Sequence, residues 1–101
     1  MSKVTVGKNL KTIGNSAFEG NTAITELDLS MCTSLTTIGD SAFEDNVSLT
    51  EIDLSVCTGL TTIGNYAFYE NNALTTITLP ESLEVIGYQA FYSCEKLTAL
   101  E

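Results

Sequence analysis

The stretch "LTTIGDSAFEDN", Leu35 to Asn46, decides the fold, because the chain writes it again as "LTTIGNYAFYEN", Leu60 to Asn71, 25 residues later. Working outward, two further copies begin at Leu10 and Leu83. The four copies stand 25, 25 and 23 residues apart. The same letters recur in each: Ile13, Ile38, Ile63, Ile86; Gly14, Gly39, Gly64, Gly87; Ala17, Ala42, Ala67, Ala90; and Phe18, Phe43, Phe68, Phe91. A second phrase follows the first: Ile24 to Leu29, Leu49 to Leu54, Leu74 to Leu79 and Leu97 to Leu100. Self-similarity at this period means stacked units, each burying its apolar residues against its neighbours.

The physics of one unit follows from its letters. In "LTEIDL", Ile52 and Leu54 alternate with Glu51 and Asp53, the pattern of a strand with one wet face. Stacking predicts a parallel sheet of such strands, about 4.8 Å apart. "LTTI" predicts a second short extended segment. The recurring glycine marks a corner where a Cβ would be costly. Asn15, Asp40 and Asn65 come next and read as helix N-caps. They predict a short helical or 3-10 turn over "xAFx", with alanine packing close and phenylalanine plugging the core. Asn21, Asn46 and Asn71 fall in one register, where buried amides can link successive corners.

The consensus L-x-x-I-G-x-x-A-F-x-x-[NC]-x-x-L-x-x-[IL]-x-[LI] resembles the BspA-type leucine-rich repeat, over nearly the whole chain. The resemblance implies a right-handed, mainly β leucine-rich-repeat solenoid with parallel strands on a concave face. It also implies a parent protein at the cell surface or secreted, displaying surfaces for adhesion or protein binding. The two middle units depart from the pattern. They carry "DLSMCTSL" and "DLSVCTGL", two residues longer than the "TLPESL" of the last unit, with Ser-x-Cys-Thr where Pro80 would stand. Residues 1–101 are expected to form a single array of about four units of 23–25 residues. Val4-Thr5-Val6 matches Ile77-Thr78-Leu79, so the chain opens inside a unit, and it closes inside another. A fragment of a longer protein or an engineered array is expected, with uncapped ends through which it dimerises.

Composition narrows the function classes. Thirteen acids face four lysines, with no arginine or histidine, for a net charge of -9. Between Thr12 and Glu95 stand twelve acids and no base. Such a field repels nucleic acid and anionic membranes. No apolar run is long enough to span a bilayer, and Met1 to Val6 form no signal-peptide core. No cofactor or metal site is expected: Cys32, Cys57 and Cys94 have no C-x-x-C spacing and no histidine partner. Cys32 and Cys57 share a register but are expected to be buried free thiols, because parallel Cβ vectors suit a disulfide poorly. Cys94 is expected to be buried too. No catalytic residue is assigned, since there is no histidine base and no carboxylate set apart to have its pKa raised.

Two surfaces could carry function. Outward strand positions form the columns Glu26, Glu51, Thr76 and Asp28, Asp53, Thr78, the concave binding face by resemblance. Glu26, Asp28, Glu51 and Asp53 read either as a site for a cation such as calcium or for a basic partner, or as a solvated acidic face that keeps the array soluble. Tyr66, Tyr69, Tyr88 and Tyr92 all lie in or beside "xAFx" turns of the second half. They read either as an aromatic contact patch or as packing along the solenoid. The column Thr25, Thr50, Thr75, Thr98 is explained by strand propensity rather than ice binding. The sequon at Asn46 is discounted because that residue belongs to the buried corner. The expected function is a non-catalytic protein-binding or adhesion module. The alternative is a structural spacer or engineered scaffold without a ligand of its own.

Overall fold

The computed structural model describes residues 3–94, 96–97 and 99–100. Thr98 and Glu101 lie outside the described residues. The chain coils into a solenoid with three longitudinal ladders. On one side run the three-residue strands of the "LTEIDL" phrases: β1 (Lys3–Thr5), β3 (Glu26–Asp28), β5 (Glu51–Asp53) and β7 (Thr76–Thr78), with β9 (Ala99–Leu100). On a second side run the two-residue strands β2 (Thr12–Ile13), β4 (Thr37–Ile38), β6 (Thr62–Ile63) and β8 (Val85–Ile86). All pairings are parallel, and β2-β4-β6-β8 form one sheet in strict register. Among the described residues no helix is long and apolar enough to cross a membrane.

The third side, the "xAFx" segments, corrects the expectation of helical turns: no helix or 3-10 turn forms there. Ser16, Ser41, Tyr66 and Gln89 adopt left-handed φ values of 51–59°, which ends a right-handed helix at its first residue. Ala42 and Glu44 donate within the turn, to Gly39 O (3.3 Å) and Ser41 O (3.1 Å), but the alternate N–H groups leave it. Those of Ser41, Phe43 and Asp45 donate to the carbonyls of Asn65, Ala67 and Tyr69 in the next unit, at 2.7–2.9 Å. A helix would spend the same donors within its own turn. The predicted N-caps are rungs as well: Asn15 Oδ1 accepts from the Asp40 N–H (2.8 Å), Asp40 Oδ1 from Asn65 (2.8 Å) and Asn65 Oδ1 from Tyr88 (2.7 Å).

The glycines serve this stacking. A Cβ on Gly64 would meet Asp40 Oδ1 at 2.5 Å, Asp40 N at 2.6 Å and Gly39 C at 2.7 Å. Gly39 and Gly87 are equally confined, whereas the Cβ position of Gly14 faces open space. Inside the coil, Phe18, Phe43, Phe68 and Phe91 stack as a column with centroids 5.3–5.5 Å apart and planes within 5°. Phe43 and Phe68 are fully buried, with Ile38, Ile52, Ile63, Leu60 and Leu74 around them. The asparagine column links corners as expected. Asn71 Nδ2 donates to Phe68 O (2.7 Å) and to Phe43 O of the preceding unit (2.9 Å), and Asn46 does the same one unit earlier. Cys94 takes this role with one bond, Sγ to Phe68 O at 3.1 Å, and is half-buried rather than buried. A thiol leaves no amide oxygen in want of a donor, unlike Asn46 and Asn71, whose buried Oδ1 atoms accept no hydrogen bond from described residues.

The altered corners of the middle units are held by side chains. Ser30 donates both its N–H (3.0 Å) and its Oγ–H (2.6 Å) to Asp28 Oδ1, and the Ser55 N–H donates to Asp53 Oδ1 (2.9 Å). An Asp turn thus does there what the fixed φ of Pro80 does in the last unit. The two extra residues place Cys32 and Cys57 in the core as free thiols.

Candidate functional site

The acidic strand face is not the even ladder that periodicity predicts. β1 pairs with β3 and β5 pairs with β7, but among the described residues no strand pairing joins β3 to β5. Charge distinguishes this junction from the paired ones. Lys3 stands opposite Glu26, with Nζ to Oε2 at 3.8 Å, and Thr5 stands opposite Asp28. Glu51 and Asp53 stand opposite Thr76 and Thr78. At the β3–β5 junction alone acid meets acid, and like charges directly opposite destabilise a strand pair. A cleft of about 320 Å³ lies there, lined by Glu26, Asp28, Glu51 and Asp53 over Leu27 and Leu29. Their serines hold the Asp28 and Asp53 carboxyls below the usual aspartate range. Among the described residues, no three acidic, cysteine or histidine groups converge to hold a metal ion.

The four tyrosines are brought together on the turn side. Tyr69 and Tyr92 stack face to face, centroids 5.6 Å apart and planes within 6°. Tyr66 stands perpendicular to Tyr69 (5.5 Å, 87°) and to Tyr88 (5.8 Å, 85°). The cluster therefore has perpendicular walls rather than one flat surface. Tyr88 is 65% and Tyr92 53% exposed, while Tyr66 and Tyr69 are half-buried. Glu70 and then Glu44 are carboxylates close enough to push the Tyr69 hydroxyl pKa up, Glu70 most strongly. Sequence reasoning missed both acids as members of this patch. The available signal was their register: Glu44 precedes Tyr69 in its column, and Glu70 follows Tyr69 in the chain.

The threonine columns have a structural task. Thr36 Oγ1 donates to Lys11 O at 3.1 Å, and Thr75 Oγ1 to Thr50 O at 3.1 Å, each reaching back one unit. The thiols are not poised as nucleophiles. Burial, with Cys32 and Asp53 nearby, pushes Cys57 up to about 12, and burial raises Cys32 and Cys94 as well.

A coil of parallel strands with inward Ile, Phe and Leu columns and an Asn corner ladder defines a leucine-rich-repeat protein. The family model of the BspA type leucine rich repeat region matches in six copies over residues 1–101, and the chain belongs to that family. No curated protein matches the chain. Among solved structures, a leucine-rich repeat protein from Bacteroides ovatus is similar, at a TM-score of 0.83 and 26% identity. The match covers 99% of this chain and 30% of that one, so the chain spans about a third of that protein's length. Leucine-rich repeats commonly mediate protein interactions, and their solenoids are typically not enzymes.

Proposed function

We propose that the chain is a non-catalytic protein-binding module of an adhesive cell-surface or secreted protein, with the tyrosine cluster as its contact surface. The observation that carries this reading is the convergence of half-buried Tyr66 and Tyr69 with exposed Tyr88 and Tyr92 into one ring cluster. Tyrosine supplies large contact area at low entropic cost and a hydroxyl that bonds at the rim. The raised thiol pKa values and the lack of any histidine support the non-catalytic part.

The acidic strand face is a second reading, supported by the cleft between β3 and β5. The two separate by mutation. The chain is immobilised and exposed to a panel of purified extracellular matrix proteins. We expect at least one to bind, and binding to fall in Tyr88→Ala/Tyr92→Ala but not in Glu26→Gln/Glu51→Gln. The reverse pattern moves the surface to the strand face. Binding to none of the panel overturns the module reading and leaves the spacer. For the chain itself we further propose self-association through the open edge of β8.

A further inference from the structure

We propose that the tyrosine cluster recognises a cationic side chain, arginine above all, on an exposed segment of a partner protein. This rests on the protein-binding reading above and names the chemistry of its partner. Three observations converge. First, Tyr66 meets Tyr69 and Tyr88 at near right angles, so the rings form the walls of a corner. A cation within about 6 Å of several ring faces is attracted by each quadrupole, and a planar guanidinium also stacks on them. Second, two carboxylates lie near Tyr69: Glu70 follows it in the chain, Glu44 occupies its register one unit earlier, and both act on its hydroxyl. Neutral glycans are bound by stacked tyrosines as well, but they gain nothing from two uncompensated charges. Third, among the described residues the one ion pair is Lys3 with Glu26, so no lysine of the chain is paired with Glu44 or Glu70. The whole molecule, at -9, steers cations toward it.

Tyr66 adds a local argument. It holds φ +59° where the preceding units hold serine, at Ser16 and Ser41. A bulky residue in that region is unfavourable, so the turn itself does not call for tyrosine.

The test uses the chain with 13C-labelled tyrosine rings, titrated with a synthetic peptide alternating arginine and glycine. Comparison peptides carry lysine, or the neutral isostere citrulline, and a chito-oligosaccharide serves as the sugar probe. The arginine peptide is expected to shift the Tyr69 and Tyr92 ring signals saturably, the lysine peptide more weakly and the citrulline peptide little. The variant Tyr66→Ser/Tyr69→Glu installs the residues that Ser41 and Glu44 supply one unit earlier. It should keep the fold and weaken arginine binding about tenfold, despite its added negative charge. Tyr92→Glu is a second, independent variant with the same expected direction. Tighter binding by either folded variant would show that charge alone attracts the peptide and would overturn the proposal. Equal binding of the citrulline peptide would also overturn it, while leaving the protein-binding reading in place. Ring shifts with the oligosaccharide alone would overturn both.

Discussion

Phe68 is fully buried between the rings of Phe43 and Phe91, 5.5 and 5.4 Å away. Truncating it removes a core side chain and its contacts in two neighbouring units. Phe68→Ala should cost about 3–5 kcal/mol, a large part of the roughly 5–15 kcal/mol typical of a domain. Thermal or urea unfolding measures it, and an unchanged midpoint would mean the ring column is not what holds the units together. Asp45 poses the opposite case. It adopts φ +66° at the register where the first unit has Gly20 at φ +75°. A non-glycine residue pays about 1–2 kcal/mol in that region, partly offset by glycine's greater unfolded freedom. Asp45→Gly should therefore stabilise the chain by about 0.5–1 kcal/mol, read from the same unfolding curves. A loss of stability would assign Asp45 a side-chain contact that its conformation hides.

Between elements, the glycine column separates stacking from turn-making. Gly64→Ala would drive a Cβ into the backbone of Asp40 and Gly39 and should destabilise by about 1–3 kcal/mol or more. Gly14→Ala meets nothing within 4 Å and should be close to neutral. Equal effects would return the glycines to the corner role that the sequence suggests. Much of the unit was legible from letters that recur because they face inward: Ile38, Ala42, Phe43 and Asn46 are where periodicity puts them. The turn was not legible. An Asn or Asp carbonyl oxygen before "SAF" can cap its own turn or accept the next unit's N–H, and the sequence does not separate the two. The gap between β3 and β5 was equally hidden, since "LTEIDL" and "ITELDL" share one pattern. It falls where the 25-residue offset sets Glu26 against Glu51. Glu51→Thr gives that junction the acid-to-threonine pairing seen between β5 and β7. We expect about 0.2–1 kcal/mol of added stability and slower amide exchange around Leu27 and Ile52. No change in exchange would mean that charge is not what parts these strands. The tyrosine patch was legible as four residues in neighbouring registers, but its corner geometry was not, because ring orientation is set by packing.

At the scale of the isolated 101-residue chain, β8 is the outer strand of the four-stranded sheet among the described residues, and Ile86 departs from the inward rule. Ile86 is 45% exposed, although Ile13, Ile38 and Ile63 in its column are buried, and Val85, 52% exposed, stands where the other strands carry threonine. An open apolar edge is a template for pairing. Head-to-tail growth would set β8 of one copy against β2 of the next. It would also ask the residue at Tyr88 to accept the Asn15 N–H, as Asn15, Asp40 and Asn65 do within the chain. A tyrosine has no carbonyl oxygen to offer at that rung. Pairing β8 with β8 across a two-fold axis needs no such rung, buries Val85 and Ile86 in both copies and closes as a dimer. Each copy carries -9, so repulsion opposes the dimer at neutral pH and low salt. Association should strengthen as salt rises and as pH falls through the carboxylate range. Asp28 and Asp53, held below the ordinary aspartate value, give up their charge late in that fall. Sedimentation or light scattering across concentration and salt should show a monomer–dimer equilibrium without longer species, shifted to monomer by Ile86→Lys. A monomer at high concentration and high salt would remove the edge as an interface, and open-ended oligomers would replace the two-fold arrangement with the head-to-tail one.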